Sequence, residues 1–262
     1  MKRAFMPLIL LLSITVNLLS CASKAKTELV ETTTDITSDT KPITTPETTL
    51  QTSENVSETS EIIISEPPAD TDIVSSLAVR DFLPISDYSW EREFPVEYIV
   101  LHFSSNVVID INDPYSLEGV RNIFEDSYVS TNYIIDRDGT IYCWIPEQRA
   151  AWHAGKGSLN GNEKYENKLN KYSIGIELLA MGSKNDMKQY LTSKQYDSIP
   201  KELIGYTDEQ YQSLAALLKD ITSRWDIAAD REHIIGHDEY NPSKTDPGEL
   251  FDWSKVTDAL LN

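Results

Sequence analysis

The stretch Glu97-Tyr-Ile-Val-Leu-His102 decides the fold. Its apolar run holds two β-branched residues and no turn former, which predicts a buried strand. That strand ends on an imidazole. Further along, Tyr133-Ile-Ile-Asp136 and Thr140-Ile-Tyr-Cys-Trp-Ile145 flank Arg137-Asp-Gly139, a hairpin signal because Asp-Gly accepts positive φ. Tyr172-Ser-Ile-Gly-Ile-Glu-Leu-Leu179 reads as another strand and Glu232-His-Ile-Ile-Gly236 as a short one. Helical patterns lie between them. Thr207-Asp-Glu-Gln210 has the spacing of a capping box, and Tyr211, Leu214, Ala215, Leu218, Ile221 and Trp225 continue it along one helix face. Residues 116–124 predict a shorter helix. Strands alternating with helices predict a single α/β domain over residues 77–262, with a central mixed β-sheet covered by helices on its faces.

The 262 residues carry 23 Lys and Arg against 42 Asp and Glu, a net charge of −19. Such an acidic balance excludes a nucleic-acid binder, which needs a basic footprint on phosphate. Lys2 and Arg3 precede an apolar run from Ala4 to Leu19 that stops at Ser20-Cys21, the plan of a secretory signal. Leu18-Leu-Ser-Cys21 resembles a bacterial lipobox, in which the cysteine is lipidated after cleavage. Residues 1–21 are therefore expected to be a lipoprotein signal peptide, with Cys21 anchoring the secreted protein to the outer face of a bacterial membrane. Residues 22–76 are rich in Thr, Ser, Glu and Pro. They bury too little apolar surface to offset their ordering entropy and are expected to be a disordered linker, with Ile62-Ile-Ile64 as its one apolar knot. Cys143, left without a disulfide partner, reads as a buried core thiol.

Several polar residues are stranded at the ends of apolar strands. His102 closes the first. Glu177 lies inside Ser173-Ile-Gly-Ile-Glu-Leu178, where an unpaired carboxylate is unfavourable. His237 follows Ile234-Ile-Gly236, and Asp246 stands nine residues later in Lys244-Thr-Asp-Pro-Gly248. Two imidazoles and one carboxylate form a common ligand set for catalytic zinc, with a fourth position left to water. The ion lowers that water's pKa and polarises a carbonyl, as amide hydrolysis at neutral pH requires. Glu177 then suits a general base, and Lys244 a cation facing the developing oxyanion. His233 lies four residues before His237 but lacks the Glu of a helical His-Glu-x-x-His site. Along a strand the two would be roughly 13 Å apart, so His233 reads as a surface or packing residue.

Six segments occur in a telling order: Val100-Leu-His-Phe-Ser104, Asn132-Tyr-Ile-Ile-Asp-Arg-Asp-Gly139, Arg149-Ala-Ala-Trp-His-Ala-Gly155, Ser173-Ile-Gly-Ile-Glu-Leu178, Gly236-His-Asp-Glu239 and Lys244-Thr-Asp-Pro-Gly248. Together they resemble the type 2 N-acetylmuramoyl-L-alanine amidases, zinc amidases related to the peptidoglycan recognition proteins. The resemblance extends over residues 97–253. It implies Zn2+ on His102, His237 and Asp246, in agreement with the set chosen from the residues themselves. It also implies Glu177 as catalytic, Lys244 as transition-state stabiliser, and Trp152, His153, Ala154 and Tyr133 as contacts with the muropeptide. For His153 the alternative of a loop histidine packed on Trp152 stays open.

The implied reaction is zinc-dependent hydrolysis of the amide between N-acetylmuramic acid and L-alanine in peptidoglycan. The rival is a recognition module that binds muropeptide without cutting it. Such relatives typically lack a ligand, whereas all three positions are filled here alongside Glu177 and Lys244, which favours the enzyme. A plain structural lipoprotein would leave the buried glutamate unexplained. Asn132 departs from the pattern, standing where many relatives have histidine. Residues 181–205, a long polar stretch after the catalytic strand, are expected to form a wall of the substrate groove.

Overall fold

The computed structural model describes residues 71–261. The expected signal segment, Cys21 and most of the linker, including Ile62-Ile-Ile64, lie outside the described residues. The elements run β1 (Val79–Arg80), α1 (Ile85–Tyr88), β2 (Ser89–Glu91), β3 (Tyr98–Ser104), α2 (Leu117–Ser127), β4 (Tyr133–Ile135), β5 (Ile141–Cys143) and β6 (Arg149–Ala151). They continue with β7 (Ser173–Leu179), α3 (Ser193–Asp197), α4 (Asp208–Trp225), β8 (Ile234–Gly236), α5 (His237–Tyr240) and α6 (Trp253–Leu261).

The main sheet has the order β1-β5-β4-β7-β3-β8. Every pairing in it is parallel except the β4–β5 hairpin, whose turn carries Gly139 at φ 85°. β2 and β6 form a separate antiparallel pair. Side chains alternate between the two faces of a strand, and this alternation divides the core. Ile99, Leu101, Ile174, Ile176 and Leu178 pack with Leu214, Leu218 and Ile221 of α4 and Val256 of α6. On the opposite face Ile134 and Leu179 meet Val120 and Phe124 of α2, while Val100 and Ile235 belong to a cluster with Tyr165, Leu169 and Tyr240. His102 and Glu177 share this second face.

The capping box at α4 forms as the sequence predicts. Thr207 Oγ1 accepts from Gln210 N at 3.1 Å, and Gln210 Oε1 accepts from Thr207 N at 3.1 Å. Gln210 Nε2 also donates to the carbonyls of Ile135 and Leu179, tying the cap to the ends of β4 and β7.

Two expectations about extent are corrected. The folded part begins by residue 72 rather than 77: Glu147 N donates to Ile73 O at 2.8 Å, Gln148 Nε2 to Asp72 Oδ1 at 2.6 Å, and Val74 packs on the core. Val74 is the residue of this segment that gains apolar cover, while Ile73 stays exposed and contributes its backbone. Residues 181–205 are not a bare loop either. A Met181–Gly205 bridge closes the excursion, and Met187, Leu191 and Ile199 bury a small core of their own with Val107.

Candidate active site

Three parallel neighbours, β7, β3 and β8, end side by side. Their register pairs His102 with Glu177 and Leu101 with Gly236, so that His237 follows directly beyond the edge of β8. The site therefore forms at the carboxyl ends of parallel strands, where open α/β sheets place their ligands. Asp246 arrives on the turn after α5, held by a hydrogen bond from Asp238 N to Asp246 O at 3.0 Å. Gly236 permits that approach. A Cβ there would lie 2.4 Å from Asp238 Oδ1 and 2.7 Å from Pro247 Cδ.

His102 Nδ1 lies 3.0 Å from His237 Nδ1 and 2.8 Å from Asp246 Oδ2, and His237 Nδ1 lies 2.9 Å from that same oxygen. The outer partners assign the protons on both rings. The Ala154 carbonyl can only accept, so His237 Nε2 donates to it at 3.1 Å and His237 Nδ1 presents a lone pair. The other ring is fixed by a chain. Leu169 O accepts from Ser173 Oγ at 2.7 Å, and Ser173 Oγ in turn accepts from His153 Nε2 at 3.1 Å. His153 Nδ1 is then an acceptor for His102 Nε2 at 3.0 Å, which leaves His102 Nδ1 without a proton. Asn170 Oδ1 clamps this arrangement by accepting from the backbone N–H of His153 and Ala154 at 3.1 and 2.7 Å. Gly175 leaves room for the relay, since a Cβ there would lie 2.5 Å from the His153 ring.

Three lone pairs thus meet with no proton among them, a repulsive arrangement unless a cation sits against all three. Two neutral imidazoles and a carboxylate are the donor set of a catalytic zinc site, and the residues present fit such an ion. The electrostatics agree. Burial, reinforced by the adjacent His237, lowers His102 to about 4, which keeps it neutral at pH 7.

Glu177 is only 6% exposed. Burial and the negative charge of Asp246 push its carboxyl up to about 8, while Ser104 and Lys244 work in the opposite direction. Ser104 Oγ donates to Glu177 Oε2 at 2.5 Å, leaving Oε1 as the free oxygen. Lys244, half-buried two residues before Asp246, is close enough for its charge to act on both Glu177 and His102.

His102, His237, Asp246, Glu177 and Lys244 therefore come together, and His153 joins them from behind the His102 ring. Ala154 is fully buried with its N–H and carbonyl both engaged within the protein, so nothing polar on it faces outward. Trp152 remains half-buried beside them. Tyr133 does not belong to the site. Its register places it opposite Ile176, on the α4 face of the sheet, where its hydroxyl donates to buried Glu147 and accepts from Ser75 N. Strand alternation is the reason, since Tyr133 and Glu177 project from opposite faces. Asn132 is a latch, with Gly175 N donating to its Oδ1 and its Nδ2 donating to Ile145 O. His233 pairs with Asp230 and stacks on Tyr98, away from the cluster. Cys143 is a buried free thiol.

Sequence reasoning missed Ser104, Ser173 and Asn170. Ser104 had a signal, because two residues after His102 on one strand means the same face. Asn170 had none, its role depending on a segment sixteen residues away.

The N-acetylmuramoyl-L-alanine amidase family model matches residues 92–249. The 1,6-anhydro-N-acetylmuramyl-L-alanine amidase AmpD of Salmonella typhimurium is 34% identical over 128 residues, 48% of this chain and 54% of that protein. The N-acetylmuramoyl-L-alanine amidase AmiD of Escherichia coli is 32% identical over 139 residues, 50% of this chain and 44% of that protein. The match thus spans about half the length of these curated relatives. A crystal structure of a selenomethionine derivative of AmpD has a TM-score of 0.50 at 28% identity, covering 71% of this chain and 95% of the other. With a family match over more than half of its length, laid across the strands that gather His102, Glu177 and His237, the chain belongs to the N-acetylmuramoyl-L-alanine amidase family.

Proposed function

We propose that this chain hydrolyses the amide between the lactyl group of N-acetylmuramic acid and the L-alanine of the peptidoglycan stem, with zinc as its metal. The observation that carries this reading is the triangle of unprotonated donors, His102 Nδ1, His237 Nδ1 and Asp246 Oδ2, within 3.0 Å of one another beside a buried carboxyl. The relatives are named for the same type of bond.

A divalent ion held by His102, His237 and Asp246 would polarise the scissile carbonyl and acidify a water. Glu177 handles the proton. Oε1 takes a proton from the attacking water and returns it to the departing amine. Ser104 holds the other oxygen and fixes the orientation of the carboxyl. The Lys244 ammonium faces the charge that grows on the carbonyl oxygen. His153 and the Ala154 carbonyl orient the ligand rings from behind, as outer partners of metal-binding histidines do.

Residues 181–205 serve as one wall of the groove in this reading. Their contact with the Asp246 turn supports it, since Asp186 Oδ2 accepts from Glu249 N at 3.2 Å. The lipobox-like Leu18-Leu-Ser-Cys21 supports anchoring through a lipidated Cys21 on the outer face of a bacterial membrane, next to the wall. Mass spectrometry of purified muropeptides after incubation tests the reaction. Products carrying a new free amino terminus on L-alanine are expected, and muropeptides recovered intact would overturn it.

A further inference from the structure

Four aromatic rings form a continuous row that starts from the expected muropeptide contact Trp152 and extends through Tyr88, Trp90 and Tyr128, to which no role has been assigned. Tyr128 and Tyr88 stack with centroids 6.2 Å apart at an interplanar angle of 18°. Tyr88 lies 6.4 Å from Trp152, and Trp152 lies 5.4 Å from Trp90. The two ends of the row are open to solvent, Tyr128 at 68% and Trp90 at 48% exposure. The inner pair, Tyr88 and Trp152, is half-buried, so the row runs along the surface with partly open rings at its middle and open rings at its ends, as an interaction surface does. The small β2–β6 sheet builds it, pairing Trp90 with Ala150 and Ser89 with Ala151 just before Trp152.

Two details show that these rings are poor choices for packing alone. Tyr128 caps α2 at φ 52°, a position that glycine usually takes. The Trp152 indole N–H is buried without an acceptor, an unfavourable state for a donor.

The surroundings select the partner. Asp87, Glu91 and Asp126 are exposed next to Tyr88, Trp90 and Tyr128, and Tyr88 OH donates to Glu125 O at 3.1 Å. Arg92 lies behind them with its guanidinium donating to four backbone carbonyls. An acidic rim repels anionic lipid and nucleic acid, whereas carboxylates accept hydrogen bonds from sugar hydroxyls. Pyranose rings present apolar C–H faces that stack on indole and phenol, which combine a flat apolar body with a polar edge. Trp152, within the row, directly precedes His153, whose ring touches His102.

We propose that Trp90, Trp152, Tyr88 and Tyr128 form a shelf that binds the glycan strand of the wall by stacking on its sugar rings, beside the site that holds the stem peptide. The choice of glycan rests on the amidase reading. The shelf makes the polymer a better substrate than a free muropeptide.

The test uses the full chain and a Trp90→Ala/Tyr128→Ala variant, with Trp90→Tyr/Tyr128→Phe as the conservative control. Retention is measured on insoluble chitin, a neutral stem-free glycan of β-1,4-linked N-acetylglucosamine, and hydrolysis on a soluble monomeric muropeptide. The alanine variant should lose about tenfold in retention and in the rate on intact sacculi, with the soluble rate unchanged within twofold. The conservative variant should keep both. Wild-type protein that ignores stem-free glycan, or an alanine variant retained as well as wild type, would overturn the shelf. Equal loss on soluble and insoluble substrates would overturn it too, because stacking would then not be separable from the catalytic groove. Absence of any hydrolysis by wild type, with retention intact, would reject the amidase reading and leave the shelf standing. Capture of a protein but not of glycan would assign the row to a protein partner instead.

Discussion

At the scale of single residues, the site works because each histidine nitrogen has one assignable role. Glu177→Gln keeps the three donor atoms and should retain zinc, yet lose about 10²–10⁴-fold in hydrolysis, the usual share of a general base. Metal analysis beside a rate measurement checks both halves. The same residue gives a pH signature in the metal-free protein. Glu177 titrates at about 8 when folded against 4.5 ordinarily, so between those values the native chain holds a proton that the unfolded chain has released. Its contribution to stability is complete below pH 4.5 and is lost as pH rises to 8, at about 1.4 kcal/mol per pH unit. Denaturant midpoints for wild type and Glu177→Gln should diverge by that slope across this window. For the relay, His153→Leu removes the acceptor facing His102 Nε2 and should weaken zinc binding about 10–100-fold. His153→Gln, whose carbonyl can accept the same hydrogen, should recover part of it, read by competition with a chelating dye. The ligands were legible in the sequence because a polar residue closing an apolar strand is conspicuous. The relay was not, because Ser173, His153 and Asn170 become neighbours only after β7 packs beneath the 153–154 segment.

Among the elements, those with a strong period were readable and those made by distant pairing were not. β3, β7, the β4–β5 hairpin and α4 all follow from local pattern, and the Thr207–Gln210 cap forms as its spacing predicts. β1, β2 and β6 have two or three residues each, too few for alternation to show. The 181–205 excursion escaped because Met187, Leu191 and Ile199 are few and scattered through a polar stretch of short separate turns, yet they bury a core with Val107. Tyr133 was assigned to the groove from its motif, whereas the alternation of β4 sends it to the α4 face. That face depends on α4, whose Leu218 is fully buried against the sheet. Leu218→Ala should cost about 2–5 kcal/mol, as large-to-small changes in cores do, and Thr207→Ala about 1 kcal/mol through the lost cap. Urea unfolding of the two variants separates a core effect from an end effect.

For the whole molecule, the parallel sheet divides the labour between its faces. One face is closed by α4 and α6 and supplies cohesion; the other carries the donors, the buried glutamate and the aromatic row in a single neighbourhood. The acidic charge of −19 provides no attraction to an anionic wall, so stacking on sugar rings and the proposed lipid anchor would do the localising. The proposed reaction rests on one metal that His102, His237 and Asp246 would hold. The most direct measurement strips the protein with a chelator, returns zinc stepwise, and follows release of L-alanine amino termini from a soluble muropeptide. Activity should be absent in the stripped protein and rise to a plateau at a single ion per chain, while His102→Ala stays inactive throughout. Full activity in the stripped protein, or in His102→Ala, would contradict a metal-dependent amidase.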